Sequence, residues 1–210
     1  MNSWDIEGHT LEYIDDIHQY LVDGVCVPSI TQILKIKFGN KYQGISTQIL
    51  DSASKKGTEV HEAIEKLCKT GEIEDFKEVK NFLFLQKHYE FEVLDNEVPI
   101  ILFNQNGDPI SAGRLDLVLK IEDEIGGADI KRTSTLDKEY LTYQLNLYRI
   151  GYKQSYGTEW KFLKGIHLRE DKRKFIDIPI NEEIAWKIIE EYFNENWYCW
   201  RFEKCNRKFR

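Results

Sequence analysis

The sequence predicts a mixed α/β fold: a central mixed β-sheet flanked by α-helices, with a β-hairpin at the amino end. Three observations lead there. Apolar residues recur at helical period in separate windows, β-rich runs with alternating polarity lie between those windows, and Asp-Gly and Asn-Gly pairs punctuate the runs as turns. Read along the chain, the order is helix, three strands, helix, two strands, helix, which is a sheet with helices packed on it.

The elements follow in order. In "HQYLVDGVCV" Asp23-Gly24 stands between two β-rich runs and marks the hairpin, and Pro28-Ser29 then opens a short helix at "SITQIL". Gly57-Thr58 reads as the start of the next helix, in which Val60, Ile64, Leu67 and Cys68 form one apolar stripe. His61 and Glu65, four apart, share the margin of that stripe. A further amphipathic helix runs from about Phe76 to Tyr89, with Phe76, Val79, Phe82, Leu83 and Gln86 on one side. "EVPIILF" and "ISAGRLDLVLK" flank Asn106-Gly107-Asp108-Pro109 and read as a hairpin with a long turn. "GADIK" is a short third strand after Gly126-Gly127. Helical period returns from Asp137 to about Tyr152, with Leu141, Leu145, Tyr148 and Tyr152 in one stripe. Strands at "FLKGIHL" and "KFIDIPI" and a closing helix from Asn181 complete the chain.

Composition narrows the class. The 210 residues are 41% apolar, 13% aromatic and 31% charged, enough to bury a full core, and the absence of repeats or Pro/Gly/Ser linkers predicts one domain over 1–210. No apolar run approaches the roughly 18 residues that span a bilayer, and the amino terminus has no signal-peptide pattern, so a cytoplasmic protein without membrane contact is expected. Cys26, Cys68, Cys199 and Cys205 are too scattered for a disulfide framework and read as buried small hydrophobes. With 29 Lys and Arg against 36 Asp and Glu, the formal charge of −7 disfavours a protein that coats nucleic acid through net charge. Two local patches remain, at Arg169, Lys172, Arg173 and Lys174 and in the tail at Lys204, Arg207, Lys208 and Arg210; either is basic enough for phosphate, or simply a solvated face. There is no GxxxxGK(S/T) loop, hence no helicase motor in this chain.

The chemistry concentrates in the middle strands. In "GRLDLVLK" Asp116 alternates with Leu115, Leu117 and Leu119 and points away from the leucines; in "GADIK" Asp129 and Lys131 share one face and Ala128 and Ile130 the other. If the two strands are hairpin neighbours, Asp116 and Asp129 converge within the reach of a hard divalent ion, with Lys131 beside them. An Asp-x-Lys triplet by itself is more often an exposed ion-pairing strand face.

Four fragments in fixed order change that balance: "GTEVHEAIE", "AGRLDLV", "ADIKRTS" and "QLNLYRIGY". Together they resemble the PD-(D/E)XK nuclease superfamily, within it the RecB-like and phage-type exonuclease branch, over roughly residues 28–156. The resemblance implies a restriction-endonuclease-like core and Mg²⁺- or Mn²⁺-dependent hydrolysis of phosphodiester bonds in DNA, most simply from the ends of linear DNA in recombination or repair. It implies His61, Asp116, Asp129 and the backbone carbonyl of Ile130 as metal ligands, and Asp116, Asp129 and Lys131 with Gln144 and Tyr148 of a Q-x-x-x-Y helix as catalytic residues. Glu65, Glu92 and Glu97 are further carboxylates among which the sequence does not choose. Some relatives clamp an iron–sulfur cluster with four cysteines; only Cys199 and Cys205 stand near the carboxyl end here, so no cluster is expected. A single-strand annealing protein as partner, and an oligomer around DNA, are expectations at the level of the family. A site- or structure-specific endonuclease and a catalytically silent DNA-binding module are the alternatives.

Overall fold

The computed structural model describes residues 2–39, 44 and 46–206, with side chains up to residue 195. Its amino-terminal sheet is antiparallel and runs in sequence order: β1 (Asn2–Ile6), β2 (His9–Ile14), β3 (Gln19–Val22) and β4 (Val25–Val27). The expected hairpin is therefore half of a larger sheet. Asp23 and Gly24 form its turn with φ of +51° and +75°, as a two-residue loop of this twist requires. Glu7 and Gly8, at +51° and +79°, make a second such turn between β1 and β2.

Helix α1 (Ile30–Phe38) starts where Ser29 and Gln32 form a reciprocal capping box. Helix α2 (Thr47–Thr70) begins ten residues before the expected start, and Gly57 lies inside it. The stretch before Gly57, "TQILDSASKK", has no proline and carries Gln48, Leu50, Ala53, Lys55 and Lys56 as good helix formers, and one glycine costs only about 1 kcal/mol against them. Helix α3 (Lys77–Tyr89) buries Val79 and Phe82 as expected, but it turns Leu85 inward and leaves Leu83 only partly covered.

The central sheet has the order β5 (Phe91–Phe103), β6 (Pro109–Ile121), β7 (Glu124–Lys131), β8 (Phe162–Leu168) and β9 (Arg173–Ile178). Pairing is antiparallel except between β7 and β8, which α4 (Lys138–Tyr156) connects as a parallel crossover. Asp137 caps α4 by accepting from Tyr140 N (2.9 Å), and α5 (Glu182–Asn206) closes the chain. The fold is thus mixed α/β, as the sequence predicts. Gly126 and Gly127, expected just before a strand, are inside β7. A Cβ on Gly127 would come within 2.1 Å of the Trp160 ring and one on Gly126 within 2.4 Å of Phe162, so the strand is bare where two aromatic residues lie on it.

Two layers cover the sheet. Helices α1, α4 and α5 pack Ile33, Leu145 and Ile188 on one face, against Ile100, Leu115 and Val118. Helices α2 and α3 pack Val60, Ile64 and Phe82 on the other, against Leu117, Leu119 and Ile130. Leu115 and Leu117 thus belong to different layers, so the single leucine face expected for β6 is broken at Asp116. The amino-terminal sheet shares a third cluster with the central one, where Leu11, Tyr20 and Val27 meet Ile101 and Ala112.

Among the described residues no helix is long and apolar enough to cross a membrane. Cys26 accepts from Gln19 Nε2 (2.8 Å) and burial raises the Cys68 thiol to about 11. Cys199, Cys205 and the basic tail at Lys204, Arg207, Lys208 and Arg210 lie outside the described side chains.

Candidate metal centre

The centre forms where two strands part. β6 and β7 pair from Ile121 and Glu124 as far as Leu117 and Ala128, and the ladder then stops. The same register one step further would set Asp116 opposite Asp129. Backbone groups freed by the parting need partners, and side chains supply them: Asp116 Oδ2 accepts from Ile130 N at 2.7 Å, and His61 Nε2 donates to Ile130 O at 3.1 Å. The expected carbonyl ligand, Ile130 O, is therefore engaged by His61. This bond fixes the imidazole tautomer and leaves Nδ1 bare, 3.7 Å from Asp116 Oδ2. Ligating histidines are commonly oriented in this way, through a backbone carbonyl on the other nitrogen.

On the opposite edge of β6, Glu97 stands across from Asp116, between the pairs Asn96–Leu117 and Val98–Leu115. Its φ is +51°, a conformation that costs a residue with a side chain on the order of 1–3 kcal/mol and that collects at functional sites. It brings one ligand atom each from His61, Glu97 and Asp116 within 4.8 Å of one another. Of the three glutamates left open by the sequence, Glu97 is the one in this group. Glu65 lines the same cleft but is engaged with Lys69, and Glu92 sits exposed on β5 across from Lys120.

Asp129 lies outside that group. It is 2% exposed and its Oδ2 has the Lys131 ammonium at 2.6 Å, with no aligned hydrogen-bond donor. Burial pushes the Asp129 carboxyl up; Lys131 opposes that and Asp116 adds to it. Burial disfavours the Lys131 ammonium, but Asp129 and Asp116 outweigh it and hold the amine above its ordinary value. Glu97 is raised from 4.5 to about 7, first by burial and then by Asp116, with Arg114 and His61 opposing.

The helix motif is divided. Gln144 is buried at the cleft with Oε1 unpartnered. Tyr148 donates to Arg114 O at 3.0 Å and packs so close to Gly113 that a Cβ there would be 2.9 Å from its ring. Tyr148 therefore supports β6 beside Asp116, and the ring near Lys131 belongs to Tyr140, 5.9 Å away.

Two features escape the sequence reading. Arg114 reaches over the carboxylates, its Nε 2.6 Å from Glu97 Oε2. The cleft, about 710 Å³, is also walled by Ser54, Gly57, Thr58, His61, Glu62 and Glu65, which share one face of α2, and by Tyr13, His18 and Tyr20 of the amino-terminal sheet. The GRLD fragment carried the signal for Arg114; nothing in the amino-terminal strands marked them as part of a site. The patch at Arg169, Lys172, Arg173 and Lys174 lies elsewhere, around the β8–β9 turn, where the Arg173 guanidinium stacks 3.6 Å over Phe84 and Arg169 Nε lies 3.8 Å from Asp171.

No family model and no curated protein matches the chain. Among solved structures, one described as "Crystal structure of SSO0001" is similar over 82% of this chain and 81% of its own, with 15% identity and a TM-score of 0.48.

Proposed function

We propose that the chain is a divalent-cation-dependent DNA nuclease that digests linear DNA from its ends. The observation that supports it best is the meeting of His61, Glu97 and Asp116 at the parting of two strands, with Asp129 and Lys131 on the neighbouring strand. The ordered fragments that resemble RecB-like and phage-type nucleases point the same way.

The donor set suits a small hard cation: carboxylate oxygens from Glu97 and Asp116, with Asp129 beside them, prefer Mg²⁺ or Mn²⁺, and the nitrogen of His61 favours Mn²⁺ of the two. When bound, such an ion polarises a phosphoryl oxygen and makes a water molecule more acidic. The chain's own groups do the rest. Asp116 and Glu97 are the carboxyl groups that would hold the cation, and the Ile130 carbonyl keeps His61 oriented. Lys131, kept cationic by its two aspartates, stabilises the charge that grows on the phosphoryl oxygens or orients the attacking water through its protons. Gln144 offers an amide whose oxygen has no protein donor, suited to accept from a water molecule.

The test is incubation of 5′- and 3′-end-labelled linear duplex and single strands, and of closed-circular DNA, with Mg²⁺, Mn²⁺ or EDTA. Linear DNA is expected to be degraded with metal and spared in EDTA, and Asp129→Asn and Lys131→Ala to be inactive while still folded by circular dichroism. Cutting of closed circles at the same rate would refute end-dependence. Full activity in either variant would refute the site.

A further inference from the structure

The cleft has a second wall that phosphodiester hydrolysis does not use. We infer that this wall, Tyr13 with His18, Tyr20 and Arg114, is a base-stacking subsite and that the substrate enters as an unpaired nucleotide strand; the inference rests on the nuclease reading above.

Tyr13 and Tyr20 are direct cross-strand partners on β2 and β3, with ring centroids 4.7 Å apart. Their roles differ. Tyr20 is buried in the cluster that joins the two sheets, so it is a support. Tyr13 is half-buried and lines the cleft. Its hydroxyl shares a 2.7 Å hydrogen bond with His18 Nδ1, which holds the ring in place, and His18 itself sits at φ +49° at the end of the β2–β3 connection. An aromatic ring presented at a cleft, braced from behind and fixed at its tip, is a platform for another planar group.

Arg114 joins this wall to the carboxylates. Its guanidinium carbon lies 5.8 Å from the Tyr13 ring centroid while its Nε is 2.6 Å from Glu97 Oε2. A nucleotide whose phosphate lies near Lys131 and the carboxylates thus has its base directed toward Tyr13, with the Arg114 cation between.

Reach argues for a single strand. The cleft volume of about 710 Å³ falls within the roughly 300–1,000 Å³ of pockets that take a drug-sized ligand, room for a nucleotide or two at its floor. A base that reaches Tyr13 has to be out of a duplex stack, as bases are in enzymes that act on them individually. Because every base has a π-face, such a platform takes any sequence.

The test is binding in EDTA and in Ca²⁺, without turnover, of a fluorescein-labelled short oligo(dT), the same backbone made abasic, and a blunt duplex. Wild type is expected to prefer oligo(dT) over both others. Tyr13→Ala should weaken oligo(dT) binding by about 5- to 150-fold, the range that stacking on one aromatic residue supplies, and leave the abasic strand unaffected. Tyr13→Phe should keep oligo(dT) binding, which guards against a folding defect in the alanine variant. Equal loss on oligo(dT) and abasic strand, no loss with Tyr13→Ala, or a preference of wild type for duplex would each overturn the subsite. Stacking without any cleavage in Mn²⁺ would leave the subsite standing and remove the nuclease reading; cleavage with Tyr13→Ala silent would do the reverse.

Discussion

Replacing Glu97 by glutamine tests the candidate centre without relying on turnover. In the folded chain the Glu97 carboxyl holds its proton up to about pH 7, whereas in the unfolded chain it releases it near 4.5. The native state therefore binds more protons between those values, and its stability falls as pH rises through that interval and levels off above it. A gap of about two and a half pH units is worth about 3 kcal/mol, at 1.36 kcal/mol per unit. Glutamine cannot ionise, so at pH 8 the variant should exceed the parent by up to that amount, roughly 6–12 °C in melting temperature for a chain of this size. At pH 5 the gap should shrink to about 0.8 kcal/mol, roughly 2–3 °C, because the unfolded carboxyl is only partly ionised there. Added Mn²⁺ should close most of that gap at pH 8. A cation that binds only the folded parent at a hundred times its Kd adds about 2.7 kcal/mol, and the variant lacks one of the ligand oxygens. Thermal unfolding of both proteins at pH 5 and 8, with Mn²⁺ and with EDTA, reads all four conditions. If the glutamine variant gains nothing at pH 8 in EDTA, Glu97 is not a buried acid with a raised pKa; if it shifts with Mn²⁺ as much as the parent, Glu97 is not a ligand.

Two glycine substitutions probe the scaffold. Gly127→Ala sets a methyl group against the Trp160 ring, which cannot withdraw because it is fully buried, and should lower the unfolding free energy by about 1–3 kcal/mol or more in urea titrations. Gly57→Ala is expected to act in the opposite direction: the position is helical and a Cβ there meets nothing within 4 Å, so urea unfolding should show a gain of about 0.5–1 kcal/mol.

What the sequence discloses and what it hides divide along the range of the interactions. Alternation over five residues of β7 is a local property, and it sets Asp129 and Lys131 on one face in both sequence and structure. The periods of α2 and α4 are equally local, and so are His61 at the edge of its stripe and the buried side of Tyr148. Glu97 could not be singled out because nothing near it in the chain distinguishes it from Glu65 or Glu92. Its place depends on the β5–β6 register, which sets it across from Asp116, and on a backbone angle that residues with side chains seldom adopt. The glycines of β7 read as a break for the same reason in reverse, since Trp160 and Phe162, which require them, come from the far end of the α4 crossover. Tyr13 and His18 carry no motif, and only the packing of Tyr20 and Val27 against Ile101 and Ala112 brings their sheet to the cleft.

The placement of the centre at the end of β7 follows from how that strand is held. On the β8 side the ladder continues through Asp129–Gly165 to Lys131–His167, after the ladder to β6 has ended. Beyond the last pair, His167 Nε2 donates to Thr133 O at 2.7 Å, and Arg132 Nε donates to the buried Glu78 at 2.7 Å, tying the strand end to α3. β7 is thus fixed along one edge and at its tip while its other edge is open to side chains from α2 and β6. A buried carboxylate next to a buried ammonium is costly to assemble and is not itself evidence of stability. Here the surrounding ladder and ion pairs hold the two groups together, and what results is a set of charges fixed in advance, as the proposed reaction would require. Preorganisation of that kind is the largest single contribution most active sites make to catalysis, and it needs one strand held rigidly beside another that has turned away.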